Sequence, residues 1–279
     1  MPADATFIFR PMQPHDMQQA EAMTQAVGWP HRAEDWRFVL DLGFGHVAEH
    51  EGRLAATAMG WPQGPAAASI GMIIVAAHAQ GTGLGRRLTQ SVLRALGPVS
   101  IELHATAAGL PLYEKLGFTI QGAVHQHQGN ARPTPPPDAP LRQATASDLP
   151  ALAALDRHAT GADRSQALAA LLAIGETIIL ERANTPIAFA TLRRFGRGHQ
   201  IGPVIAPDAE AARALLHHFI HHHPGHFLRA DIDAAANLAP FLTDHGLAYA
   251  GLATPMRHGP PRPAPITSHR FALINQALG

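Results

Sequence analysis

The sequence predicts an α/β protein of two tandem halves with the same layout, each a mixed central sheet flanked by helices. Three observations predict it. A proline-rich stretch divides the chain: GNARPTPPPDAP, residues 129–140, holds five prolines and almost nothing that a core could take up, as suits an exposed, stiff connector. The two flanking segments echo each other in order. Within each, strand-like and helix-like periodicities alternate, which implies strands covered by helices on both faces. The boundaries read 1–130 for the first domain, 131–140 for the linker and 141–279 for the second domain.

Each half opens in the same way. FRPMQPHDMQQAEAMT near the start and LRQATASDLPALAALD after the linker each read as a short strand, a turn with Asp, and a helix with apolar residues three and four apart. Asp16 and Asp148 stand near the helix starts, where a carboxylate meets the positive end of the dipole. Strand pairs follow in FGHVAEHEGRLAATAMG and TIILERANTPIAFATLRRFG, then a central strand, a helix, a strand, a helix and a closing strand. IGMIIVAAHAQGTGLGRRL corresponds to IGPVIAPDAEAARALL, and LPLYEKLGFTIQGA to APFLTDHGLAYAGL. The tail from His258 starts proline-rich and ends in a segment whose sequence does not place it; packing across the domain junction is the expectation.

Composition narrows the function. Hydrophobic residues make up 46% and charged residues 15%, and Lys+Arg and Asp+Glu balance at 21 each, so no net field draws nucleic acid or a membrane surface. No apolar run is long enough to span a bilayer, and MPADATFIFRPMQ lacks the basic-then-apolar layout of an export signal; the expectation is a cytoplasmic protein. Zero cysteines exclude disulfides, thiolate metal sites and a thiol nucleophile.

The most informative segment joins the apolar run at residues 70–75 to a helix with Leu84, Leu88, Val92 and Leu96 at helical spacing. Between them stand Gly81, Gly83 and Gly85, which let backbone N–H groups turn toward an anion at the helix's positive end. Arg86 and Arg87 follow, where cations oppose the dipole unless a polyanion is bound. A triphosphate P-loop needs Gly-Lys-Ser/Thr, and Gly85 precedes Arg86 instead. A dinucleotide fingerprint is half met by Gly81 and Gly83, with Glu102 about twenty residues on, but Arg86 holds its third glycine position.

With Val75 and Gln80-Gly81-Thr82-Gly83-Leu84-Gly85, the segment resembles the acetyl-CoA motif of the Gcn5-related N-acetyltransferases (GNAT). LPLYEKLGF resembles that family's second motif at Tyr113, Gly117 and Phe118; where the family has Asn and Ala ahead of the tyrosine, this chain has Thr106 and Gly109. The resemblance covers the whole chain as fold and the first half as chemistry, in the manner of tandem bacterial members with a degenerate second domain. The second loop, Pro207-Asp208-Ala209-Glu210-Ala211-Ala212, has no glycine and two carboxylates, and Leu242 stands opposite Tyr113.

The resemblance implies acetyl-CoA as cosubstrate, held by Ile73, Ile74, Val75, Gln80, Gly81, Thr82, Gly83, Leu84, Gly85, Arg86, Thr106 and Gly109. It implies acetyl transfer to an amine of a small molecule, amino acid or peptide, with Tyr113 as general acid toward the departing thiolate. A base for the amine would come from Glu102, Glu49 or His104; Glu102 is the candidate taken forward, and Trp36 and Glu49 are candidates for contacting the acceptor. Trp61, in GWPQG, reads as a turn residue. Two other classes fit parts of the pattern: a module that senses acetyl-CoA without turnover, and a dinucleotide-dependent oxidoreductase. No metal site is expected: HHFIHHHPGH has histidines one helical turn apart but reads as a solvated helix face. Arg193, Arg194 and Arg197 read as an exposed hairpin end.

Overall fold

The computed structural model describes residues 7–262 and 267–279. The leader reading of residues 1–6 and part of the proline-rich tail lie outside the described residues. The first half runs β1 (Ile8–Pro11), α1 (Met17–Ala26), α2 (Ala33–Asp41), β2 (Phe44–His50), β3 (Arg53–Pro62), β4 (Ala67–Val75), α3 (Leu84–Leu96), β5 (Ser100–Ala105), α4 (Leu110–Lys115), β6 (Thr119–Ile120) and β7 (Val124–Asn130). The second runs β8 (Leu141–Gln143), α5 (Leu149–Thr160), α6 (Ser165–Ile174), β9 (Glu176–Arg182), β10 (Thr185–Phe195), β11 (Gly198–Ala206), α7 (Ala209–His222), β12 (Phe227–Asp233), α8 (Ala239–Asp244), β13 (Ala248–His258) and β14 (His269–Ala272). Residues 131–140 contribute neither helix nor strand.

All the described strands join one mixed sheet, and the halves exchange strands to make it. The upper part of β13, Thr254–His258, lies against β5 of the first half, while its Ala248–Ala253 part lies against β7. In return β7 pairs along its whole length with β12 of the second half. Neither half therefore completes its own sheet. Helices α3 and α4 cover one face of the first half, packing Leu84, Leu88, Val92 and Tyr113 on Ile70, Ile101 and Leu103; α7 does the same in the second half with Leu215, Leu216 and Phe219. On the other face α1 and α2 meet α5 and α6 in a shared core holding Trp36, Met72, Leu168, Leu171 and Ile274.

The duplication shows in an ion-pair network. Arg10 on β1 donates to Asp16 and to Glu49 on β2; Arg142 on β8 donates to Asp148 and to Glu181 on β9. Each member lies 132 positions after its counterpart (10 and 142, 16 and 148, 49 and 181). In both, the carboxylate also accepts the backbone N–H three residues earlier, at 2.8 Å, which closes the turn ahead of the helix. The tip of each β hairpin docks on the helix pair of the other half: Asp163 N–H, between α5 and α6, on Gln63 O, and Gly196 N–H on Asp35 in the first turn of α2, both at 3.0 Å. No helix among the described residues is long and apolar enough to cross a membrane.

Candidate active site in the fork of the first half

Strands β4 and β5 pair only where Ala67–Ser69 meets Ser100–Glu102. Beyond Ser69 they diverge, so the β5-facing backbone edge of Ile70–Val75 is left open, while its other edge stays bonded to β3. A bulge produces the divergence. The β3–β4 register slips between Thr57 and Met59, and Met72 takes a left-handed φ of 50°, costly for a side chain with a Cβ. The Thr57 hydroxyl donates to Met72 O at 2.7 Å and holds the bulge in place.

The glycine loop leads from that fork to α3. Gly81 and Gly83 have φ of +78° and +84°, and a Cβ at either would meet nothing within 4 Å; their need for glycine comes from the backbone, and the space over them is free. The Thr82 hydroxyl donates to Ala79 O and Gln80 Nε2 to Val75 O, fixing the loop from inside. Arg87 N–H bonds Gly83 O as the first bond of α3, so the N–H groups before it face outward at the helix's positive end. Arg86 is exposed, whereas the Arg87 guanidinium lies 3.5 Å over the Phe9 ring. A free strand edge, followed by a cradle of N–H groups with a cation beside it, fits the pantetheine amides and pyrophosphate of coenzyme A.

The second half has the same fork and has filled it. β11 and β12 pair only from His199–Ile201 to Leu228–Ala230. Past that point the chain's own β14 enters the gap, bonding β11 through His269, Arg270 and Ala272 and β12 through Ala272. Its loop is closed as well: the Asp208 carboxylate accepts Ala211 N–H at 2.9 Å, so the cap that a phosphate would occupy is already made. The unplaced tail thus does cross the junction, as a strand and then as a turn.

Tyr113 sits on α4 beside the open fork, 8% exposed, its ring edge-on to Phe118. Burial pushes its phenol up to about 12. A Cβ at residue 109 would come 2.9 Å from the Tyr113 ring, so Gly109, where the family has Ala, makes room for the ring one turn on. Thr106 accepts the Gly109 N–H at 3.3 Å and starts the helix.

The candidate base and acceptor residues are corrected by their surroundings. Glu102 is buried between Arg270 (2.8 Å) and Arg262 (3.4 Å), with His104 Nε2 3.6 Å away. Burial alone would raise its carboxyl, but Arg270, His104 and Arg262 outweigh this and hold it well below the usual carboxylate range. A carboxylate so stabilised is a poor proton acceptor. His104 is no better placed: burial lowers it to about 4, and its Nδ1 donates to Gln276 O of the tail at 3.1 Å. Glu49 belongs to the Arg10 network, which the second half repeats without a glycine loop. Trp36 is 0% exposed and its indole N–H points to Thr24, which places it in the core and away from any acceptor. Trp61 is likewise a buried strand residue, donating to Val39 O at 2.7 Å, and not part of a turn.

The histidine run of α7 does local work. Thr134 of the connector meets His217 Nε2 through its hydroxyl and His221 Nδ1 through its carbonyl, so part of the run ties the proline-rich segment to α7. Among the described residues no group of three or more His, Asp or Glu is arranged to hold a metal ion. Sequence reasoning missed the tail's contribution, including Arg270, and the pair Arg164–Asp156, buried at the start of α6. Arg270 meets Glu102 across 168 positions, and Arg164, eight residues from Asp156, also reaches the carbonyl of Gly279, 115 positions on, so no local signal marks these contacts.

Comparison with known proteins agrees with this geometry. Residues 41–120 and residues 152–272 each match an acetyltransferase (GNAT) domain family. Over 225 residues the chain is 31% identical to the uncharacterized N-acetyltransferase YitH of Bacillus subtilis (strain 168), covering 76% of each protein. In fold it resembles a protein of Pyrococcus horikoshii (TM-score 0.83, 18% identity, 98% of this chain and 96% of the other). A tandem GNAT protein from the clavulanic acid biosynthesis pathway is similar across 92% of this chain and 100% of its own length (TM-score 0.63, 12% identity). The open fork, its glycine loop, the tyrosine beside them and this kinship together make the chain a member of the GNAT acetyltransferase family, an acyltransferase built from two such domains.

Proposed function

We propose that the first half transfers the acetyl group of acetyl-CoA to a primary amine of a small molecule, an amino acid or a peptide by direct attack, in the cytoplasm, and that the second half holds no cofactor. The observation that carries the reading is the contrast between the two forks: one open with a free glycine loop, the other filled by β14 with its loop capped by Asp208.

Acetyl-CoA would supply an activated acyl thioester. The open edge of Ile73–Val75 would bond the pantetheine amides, and the N–H groups from Gly81 to Arg86 would take the pyrophosphate. Tyr113 keeps its proton throughout the neutral range, because burial disfavours the phenolate. The same dry surroundings raise the proton affinity of a thiolate released beside it, so the phenol can protonate it despite its own high value. With Glu102 paired and His104 bonded to the tail, neither is assigned the amine's proton; the amine reacts through its neutral fraction.

Calorimetry with acetyl-CoA, CoA, NAD and NADP should show binding of the first two alone. Tyr113→Phe should then keep acetyl-CoA affinity within about threefold while turnover falls by about 10²-fold, the scale of general acid catalysis. Undiminished turnover in that variant would remove Tyr113 as the acid, and binding without turnover of any amine would leave a sensor.

A further inference from the structure

The bulge in β4 is held by a side chain that the other half lacks. Thr57 is fully buried, and its hydroxyl donates to Met72 O at 2.7 Å. Met59 and Trp61, further along β3, stand in the core shared by the two halves, whereas Ala56 and Ala58 pack under α3. Alternation along the strand therefore aims Thr57 at the shared core, and the Met72 carbonyl tilts out of the sheet toward that face to reach it. The Met72–Ile73 peptide is trans, so its N–H points opposite to its C=O. Ile73 N–H is thereby turned away from the shared core, toward the face where Leu84 of the glycine loop and Tyr113 lie.

The second half supplies the contrast. Phe189 pairs with Ile205 as Thr57 pairs with Ile74, and Leu192 pairs with Ile201 as Gly60 pairs with Ile70. Counting along both strands, Phe189 stands for Thr57, Pro203 for Met72 and Val204 for Ile73. Phe189 has no hydroxyl, and the ring of Pro203 forbids a positive φ, so neither the latch nor the left-handed residue is kept. Val204 is instead paired with Ala272 of β14. The latch is thus found in the half where the edge at Ile73 is left open, and there it keeps Met72 at a φ of 50°. Backbone strain of this kind persists where the surrounding structure enforces it, and it gathers at working sites.

We propose that Thr57 is a positioning residue for acetyl transfer: its hydroxyl fixes the Met72–Ile73 peptide so that Ile73 N–H donates to the carbonyl oxygen of the bound acetyl thioester. This rests on the reading of the first half as an acetyltransferase. Negative charge grows on that oxygen as the amine attacks, and a donor already held in the right direction meets it without reorganising. Remove the hydroxyl, and the Met72 carbonyl loses its partner on the shared-core face. The peptide then turns back toward the plane of the sheet and takes the N–H off the oxygen.

The test is isotope-edited infrared spectroscopy of acetyl-CoA labelled with carbon-13 at the acetyl carbonyl, bound to the full-length native protein and to Thr57→Val, Thr57→Ser and Thr57→Cys. In the native complex the carbonyl stretch should fall below that of free acetyl-CoA, because a hydrogen bond to the oxygen weakens the double bond. Thr57→Val has the same shape without the donor and should lose most of that shift. Its calorimetric affinities for acetyl-CoA and CoA should stay within about threefold of native, since the glycine loop is untouched. Thr57→Ser restores the hydroxyl and should keep the native stretch. Thr57→Cys, with its weak S–H donor, should lie between, and it carries the test if Thr57→Val does not fold. A latch with a purely structural role would lower the melting temperature of the Val and Cys variants and leave the bound carbonyl at its native frequency. That outcome, or a native stretch equal to that of free acetyl-CoA, overturns the role of Thr57 while the acetyltransferase reading stands. Failure of the native protein to bind acetyl-CoA overturns both.

Discussion

Replacing Glu102 by Gln separates its two readings, because an isosteric amide removes the charge and keeps the shape. Arg270 and Arg262 face the carboxylate at 2.8 and 3.4 Å, gross attractions of about 6 and 5 kcal/mol at an effective dielectric of about 20. Most of this offsets the desolvation of the charges. What the variant exposes is the cost of leaving cations buried without their partner, typically about 3–5 kcal/mol. Arg270 is 21% exposed and regains some hydration, so the lower end, about 3 kcal/mol, is expected. For a chain of this size that lowers the melting temperature by about 5 °C. Urea denaturation at neutral pH measures the stability, and acetyl transfer per folded molecule, well below the transition, measures catalysis. Turnover within a fewfold of native, alongside a large loss of stability, is the expected outcome. A variant as stable as the native protein but reduced 10²-fold or more in turnover would refute the structural account and return Glu102 to the role of base.

Two further outcomes follow from the same contacts. Arg10→Met and Arg142→Met should destabilise the protein to a similar degree and leave turnover per folded molecule unchanged, since their networks are copies of each other; a selective loss of turnover in Arg10→Met would give Glu49 back its acceptor role. His104, lowered from 6.5 to about 4 by burial, binds its proton more readily unfolded than folded between those values. Its contribution is therefore complete above pH 6.5 and lost as pH falls toward 4, about 3 kcal/mol in all. Stability profiles of the native protein and His104→Gln, followed by urea denaturation from pH 7 to 4, should converge on acidification, and parallel profiles would rule this out.

The glycine loop was readable because everything that shapes it is contiguous: strand, glycines and helix act through their own backbone within a dozen residues. The duplication was readable for a similar reason, since element order survives when identity does not. The proposal that the second half holds no cofactor could be argued from Asp208 and Glu210 as charges opposed to a phosphate. What the sequence did not show is that the vacancy is made good by β14, a segment read only as an unplaced tail.

Side-chain roles away from the loop were decided by the tertiary structure. Glu102 looked like a base on a strand near a loop until Arg262 and Arg270, 160 and 168 positions further on, came to rest beside it. Arg193 looked like a solvated hairpin end until α2, 158 positions earlier, covered it. Local sequence determines backbone conformation and the anion cradle that backbone alone can make. Whether a charged side chain is a solvated tip or a locked, buried group depends on which distant groups desolvate it and which satisfy its hydrogen bonds, and only the folded arrangement of both halves sets those neighbours.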